Sequence, residues 1–283
     1  MSTDQEQSLC PYKGIHVIIV SWSDDDMDIY DELIDLKNAF GSLNFSYYQM
    51  YFIPSQNSFD SLLKELQEHK QKALNEESLL IVYYGGHGRL LTNRRLHLTA
   101  TLDSDHPSID WTSMQASLEY AETDVLLILD CCHASAAASS FEQDYEYDTE
   151  PRKRLEILAG CGFDAATREP GRYSFTKALA AELKARNKCE RVFSVAQLFQ
   201  YLHAGMLRQH PSNIPDSDED EYYKCFMAPV YIPRCTDHNH VSIPLKKFPP
   251  KEEVIEQLSH SVSDWGLPSP TPPSPTDPKY IEC

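Results

Sequence analysis

Residues 123–135 read TDVLLILDCCHAS. Val125–Leu129 is a short apolar run with β-branched members, held between Asp124 and Asp130. The chain then changes character at Cys131-Cys132-His133. A short apolar run bounded by polar residues is the pattern of a strand buried on both faces. Open α/β sheets bind their ligands at the carboxyl ends of such strands. A thiol at that edge is either an inert core cysteine or a nucleophile, and the rest of the chain decides between them.

The same pattern recurs on either side. GIHVIIVSW (14–22), FSYYQMYF (45–52), SLLIVYY (78–84), RLEILAGC (154–161) and CFMAPVYI (225–232) read as further strands. Pro229 suits an edge position in the last of these. Ile29, Leu33, Leu36 and Phe40 recur at helical spacing, as do Phe59, Leu62, Leu63 and Leu66. Helices are also predicted over 111–121, 174–185 and 194–207, the last two with Ser174 and Ser194 as N-caps. A hairpin is predicted around Asn93-Arg94, a loop over 135–153, a short helix over 251–259 and an extended proline-rich tail over 267–278. Strands alternating with helices imply an α/β fold, a six-stranded and mostly parallel sheet with helices on both faces. Right-handed crossovers then bring the strand ends at 84 and 130 to one edge. That places His87, within Gly85-Gly86-His87-Gly88, beside Cys132.

Composition bounds the alternatives. The chain has 283 residues, 41% hydrophobic and 24% charged, which suits a globular protein of one large domain with a tail. No apolar run approaches the roughly 20 residues that span a membrane. MSTDQEQSLC has neither a basic nor an apolar segment of a signal peptide. The eight cysteines, at 10, 131, 132, 161, 189, 225, 235 and 283, form no CxxC pair and no disulfide spacing. A reducing, cytoplasmic compartment fits that usage. A net charge of −18 argues against nucleic acid and anionic membrane as partners and permits basic ones.

A cysteine nucleophile needs its thiolate, an imidazole that handles the proton, and donors for the oxyanion on the attacked carbonyl. Cys132 and His87 supply the first two. The backbone N–H groups of Gly88 and Cys132 are the natural oxyanion donors. Glycines 85, 86 and 88 allow a sharp turn and close approach of a substrate backbone. A glycine turn with a core histidine and structural thiols is the plainer alternative. It accounts poorly for both motifs falling directly after buried strands. No GxSxG elbow is present, which argues against a serine α/β-hydrolase.

IVYYGGHG followed by LLILDCCHAS resembles the caspase-like cysteine peptidases, and within them the metacaspases and related fungal caspase-domain proteins. Residues 157–182, ILAGCGFDAATREPGRYSFTKALAAE, are similar to the start of that family's small subunit. The resemblance implies a peptidase domain over 12–235, with a large-subunit-like part (12–138), a linker (139–153) and a small-subunit-like part (154–235). It leaves 1–11 as a disordered N-terminus and 236–283 as an extension. His87 takes the place of the catalytic histidine and Cys132 that of the nucleophile. Cys131 falls on a variable position, and His133 has no assigned role. Ala134-Ser135 departs from the Ser-Gly usual in metacaspases.

The resemblance further implies specificity. Asp130 matches the aspartate that metacaspases use for a basic side chain before the scissile bond. Counting back from the helix at 36–40 puts Asp26 near the pocket position, where a solvated loop acid is the alternative. Two acids would pair well with arginine or lysine. Pro-Arg-Lys-Arg (151–154) is then a candidate self-cleavage site, at Arg152 or Lys153, as in a zymogen. Calcium activation is a minor alternative, through Asp103, Asp105 and Asp110, or Asp144 and Asp148. No other cofactor is expected. The expected activity is a cysteine endopeptidase acting on proteins or peptides with basic residues, as a monomer. The resemblance implies roles in programmed cell death (apoptosis), immunity or quality control without choosing among them. A caspase-fold pseudoenzyme or regulatory module is the runner-up.

Overall fold

The computed structural model describes residues 10–103, 106–140, 153–167, 170–188, 191–208, 228–234 and 241–250. In chain order the elements are β1 (Ile15–Trp22), α1 (Tyr30–Ser42), β2 (Tyr47–Ile53), α2 (Ser58–Asn75) and β3 (Leu79–Gly85). Next come β4 (His87–Leu90), β5 (Leu96–Thr99), β6 (Ser108–Asp110), α3 (Trp111–Glu119), β7 (Val125–Asp130) and a 3-10 helix (Ala134–Ser140). The remainder is β8 (Leu155–Ala159), α4 (Phe175–Asn187), β9 (Phe193–Ser194), α5 (Val195–Arg208), β10 (Val230–Arg234) and β11 (Pro244–Leu245).

Six strands form the central sheet in the order β10-β8-β7-β3-β1-β2. Every pairing is parallel except β10 with β8. The central strands alternate between two cores, which is why their sequences are apolar without interruption. Ile15, Val17 and Ile19 of β1, Ile81 and Tyr83 of β3, and Leu126 and Ile128 of β7 face α1, α4 and α5. Ile18, Val20, Leu80, Val82, Tyr84, Leu127 and Leu129 face α2, α3 and the small β4–β6 sheet. The predicted caps are in place: Ser174 Oγ accepts from Lys177 N, and Ser194 Oγ from Gln197 N. Gln197 Oε1 in turn accepts from Ser194 N, a reciprocal capping box.

Several expectations need correction. Part of the predicted 135–153 loop is the 3-10 helix, because Ala134, Ala136 and Ala137 are small enough to pack into the core, where Gln115 Nε2 donates to Ala137 O. The hairpin gains a third strand, β6, and begins at His87 itself. The last sheet strand lies at 230–234, after Pro229 rather than around it, and carries Pro233 at the sheet edge. Cys10 is packed in the core, and Tyr12 Oη donates to Asp124 Oδ2 at 2.6 Å. The packed unit also continues past 235, to Pro249, since Ile243 and Leu245 are core residues and β11 pairs with β9. The helix at 251–259 and the proline-rich tail lie outside the described residues.

Candidate active site

The site is set by two neighbouring strand ends. β3 and β7 run in register to Gly85 opposite Asp130, and Gly86 N donates to Asp130 O at 3.2 Å. Gly86 has φ +148°, and a Cβ there would stand 2.8 Å from Tyr84 Oη. Gly88 lies so close to the next segment that a Cβ would run into the Cys132 carbonyl and stand 3.0 Å from Cys131 Sγ. Only glycine permits that approach. Through it, His87 and Cys132 sit on adjoining backbone.

The two adjacent thiols differ sharply. Cys131 is fully buried in the core, and burial pushes its thiol well above the usual range. Cys132 is partly exposed. Cys161 is a third buried thiol, donating to the Cys131 and Ala165 carbonyls, and burial pushes it up to about 12. His133 takes a left-handed conformation, φ +61°. Its Nδ1 lies 2.9 Å from Phe163 O, and its N–H donates to Ala165 O. It therefore ties the segment after β7 to the loop after β8. Ala134 and Ser135, the departures from the metacaspase pattern, are buried where the 3-10 helix starts.

Asp26 stands on the imidazole: Asp26 Oδ1 is 2.6 Å from His87 Nε2. Its two neighbours are engaged elsewhere. Asp24 accepts from Ser23 Oγ and Ser55 Oγ. Asp25 Oδ1 accepts from Met27 N at 2.8 Å, and burial pushes the Asp25 carboxyl up.

A small pocket opens beside these residues, lined by Met27, Glu32, Tyr83, Asp130, Ser174 and Thr176 among others. Asp26 is not among its lining residues. The space is about 10 Å³, room for roughly one water. Asp130 accepts from both the N–H and the hydroxyl of Thr176. Burial pushes its carboxyl up to about 6, the Thr176 hydrogen bonds oppose that, and Glu32 adds to it. Glu32 is the acid that sequence reasoning missed. It is 6% exposed and accepts from Gly171 N at 2.5 Å and Ser174 Oγ at 2.7 Å. Its signal was present: three residues after Ile29 and four before Leu36, it falls on the apolar stripe of α1.

Arg152 lies outside the described residues, and Lys153 is exposed just before β8. Arg154 is committed to structure. Its backbone N donates to Asp124 Oδ1, and its Nε and NH2 donate to Asp124 Oδ2. Of the acids suggested for calcium, Asp103 and Asp110 lie among the described residues. Asp110 caps α3 through Thr112 N and pairs with Arg95, and Asp103 is exposed. Asp105, Asp144 and Asp148 lie outside the described residues. Among the described residues, no group of three or more His, Cys, Asp or Glu could hold a metal ion, and no helix is long and apolar enough to cross a membrane.

Solved structures share this fold. Caspase-1 from Spodoptera frugiperda superposes with a TM-score of 0.51 at 16% identity, covering 80% of this chain and 90% of its own. A structure described as pro-sf-caspase-1 gives 0.50 at 14% identity, covering 78% and 88%. At such identity the likeness speaks for the fold. No curated protein sequence matches the chain. The sequence profile of the Caspase domain, a peptidase family, matches residues 31–223. With that span and this architecture, the chain belongs to the caspase domain family.

Proposed function

We propose that the protein is a cysteine endopeptidase that cuts after arginine or lysine. The observation that carries it is the joining of three groups at one sheet edge: a partly exposed Cys132, an imidazole at His87, and two acids, the half-buried Asp130 and the buried Glu32, lining the adjacent pocket. The thiolate attacks the carbonyl, His87 protonates the leaving amine, and the Gly88 and Cys132 N–H groups receive the oxyanion. A guanidinium or ammonium entering the pocket would meet carboxylates on both sides. It would also draw Asp130 back to its charged form, offsetting the desolvation that now holds it up. An aspartate side chain would meet repulsion there.

A second reading, a caspase-fold regulator without activity, has one observation in its favour. The pocket is nearly filled, and Thr176, Ser174 and Gly171 already occupy its acids. On the peptidase reading, substrate or processing must open this space.

Fluorogenic peptides ending in Arg, Lys or Asp, with and without calcium, separate the two. Hydrolysis of the Arg and Lys peptides is expected, lost in Cys132→Ala and retained in Cys131→Ser. Silence on all three by the folded protein would favour the regulator. Activity that survives Cys132→Ala but not Cys131→Ser would reassign the nucleophile.

A further inference from the structure

We infer that Asp26 is a positioning residue for His87: its carboxylate holds the ring as the Nε2–H tautomer, leaving Nδ1 to exchange protons with the thiol. The inference rests on the peptidase reading above and deepens it. An ionised carboxylate only accepts hydrogen bonds, so the 2.6 Å contact requires the proton on Nε2. In a neutral imidazole the lone pair then lies on Nδ1. The partner is built rather than incidental. Of three consecutive aspartates, Asp24 is taken by two serines and Asp25 by Met27 N, which leaves Asp26 turned to the ring. The ring itself is well held. The His87 side chain is 12% exposed, and Tyr84 Oη donates to His87 O at 2.8 Å.

Each half-reaction makes the ring cationic. The proton leaves Cys132 Sγ for Nδ1 as the C–S bond forms, and passes to the amine as the C–N bond breaks. Water then attacks the thioester, giving its proton to Nδ1, and that proton returns to Sγ as the C–S bond breaks. In both cationic states the carboxylate faces the far side of the ring. Asp26 is 58% exposed, so solvent screens its charge and orientation is the larger part of its effect. The titratable groups that face the ring are Asp25 and Asp26 from the loop after β1, while Cys131 and Cys132 lie against the next residue, Gly88. Cys131 remains a thiol because it is buried.

The test compares wild type with Asp26→Asn, Asp26→Ala and Asp26→Glu. One readout is iodoacetamide alkylation of Cys132 against pH, followed by mass spectrometry. The other is kcat and KM on arginine and lysine peptides. Asp26→Asn is expected to lower kcat about tenfold to a hundredfold on both peptides, less than a buried triad acid would, with KM within about twofold. Its alkylation should begin at higher pH than in wild type, and Asp26→Glu should recover part of both losses. An unchanged alkylation profile in Asp26→Asn overturns the inference. So does a rise in KM with altered arginine-to-lysine preference and steady kcat, which would return Asp26 to the substrate pocket. Alkylation needs no turnover: a shifted profile in a protein that cleaves no peptide would sink the peptidase reading and leave Asp26 in place.

Discussion

Asp130 shows how burial and charge compete at a single residue. Its carboxyl is raised from 3.8 to about 6, first by desolvation. The folded chain therefore holds that proton more tightly than the unfolded chain. The stability this confers is full below pH 3.8 and is lost as pH rises through about 6. Two units correspond to at most about 3 kcal/mol. Asp130→Asn removes the cost and can still accept from Thr176. It should stabilise the protein by about 1–2 kcal/mol at neutral pH, with the gain fading near pH 4, as thermal melts at the two pH values would show. An equal gain at both would mean that the charge is not the cause. The variant should also lose cleavage after basic residues, and the KM of wild type for an arginine peptide should rise as pH falls below about 6. Asp130 was legible because it ends a strand whose register is unmistakable. Asp26 was not, because nothing local tells three consecutive aspartates apart. Only Ser23, Ser55 and the Met27 N–H do so, and one of those serines comes from a distant segment. The missed Glu32 is a different case, since the helical stripe marked it as buried before its partners were known.

At the scale of elements, β1, β3 and β7 were legible because each is buried on both faces and needs no partner to declare itself. The weaker ones were edge or very short strands. β10 is half-exposed and contains a proline, and β6 and β11 have three and two residues, too few for a period. The site depends on how β4 meets the segment after β7, and Gly88 is the contact. Gly88→Ala would press a methyl group into the Cys132 carbonyl and the Cys131 thiol. One of them is backbone, so relief requires the strand or the nucleophile loop to move. A loss of about 1–3 kcal/mol in stability is expected, the usual cost of overpacking. Peptidase activity should fall far more than that fraction of unfolded protein explains, because His87 and Cys132 would part. Urea titration beside a kcat measurement separates the two effects. Near-normal kcat in the folded variant would show that the close approach does not set the geometry.

For the molecule as a whole, residues 241–250 decide where the folded unit ends. The family resemblance implied a boundary at 235, since the motifs that carry it lie before that point. The contacts that contradict it join residues far apart in sequence, so no local pattern could reveal them. Ile243 and Leu245 are 0% and 1% exposed in the core shared by α1, α4 and α5. Ile243 N and Ser242 Oγ both donate to buried Glu156, and Ile243 O accepts from Val195 N. Phe248 closes the segment onto the end of α1, with its N–H on Leu43 O and its carbonyl receiving Asn44 Nδ2. Burying the two aliphatic side chains contributes about 3–6 kcal/mol, comparable with the whole stability of a domain. Removal would also take two hydrogen-bond donors from Glu156, which is fully buried in the intact chain. A chain ending at 240 should therefore melt roughly 10–20 °C lower or fail to accumulate in soluble form. A chain ending at 250 should melt within about 2 °C of full length, and Ile243→Ala should lose about 2–4 kcal/mol. Differential scanning calorimetry on the three proteins measures this directly. If the chain ending at 240 melts with full length, the segment only decorates the core. If it is destabilised while Ile243→Ala is not, the strap acts through its hydrogen bonds to Glu156 rather than through apolar burial.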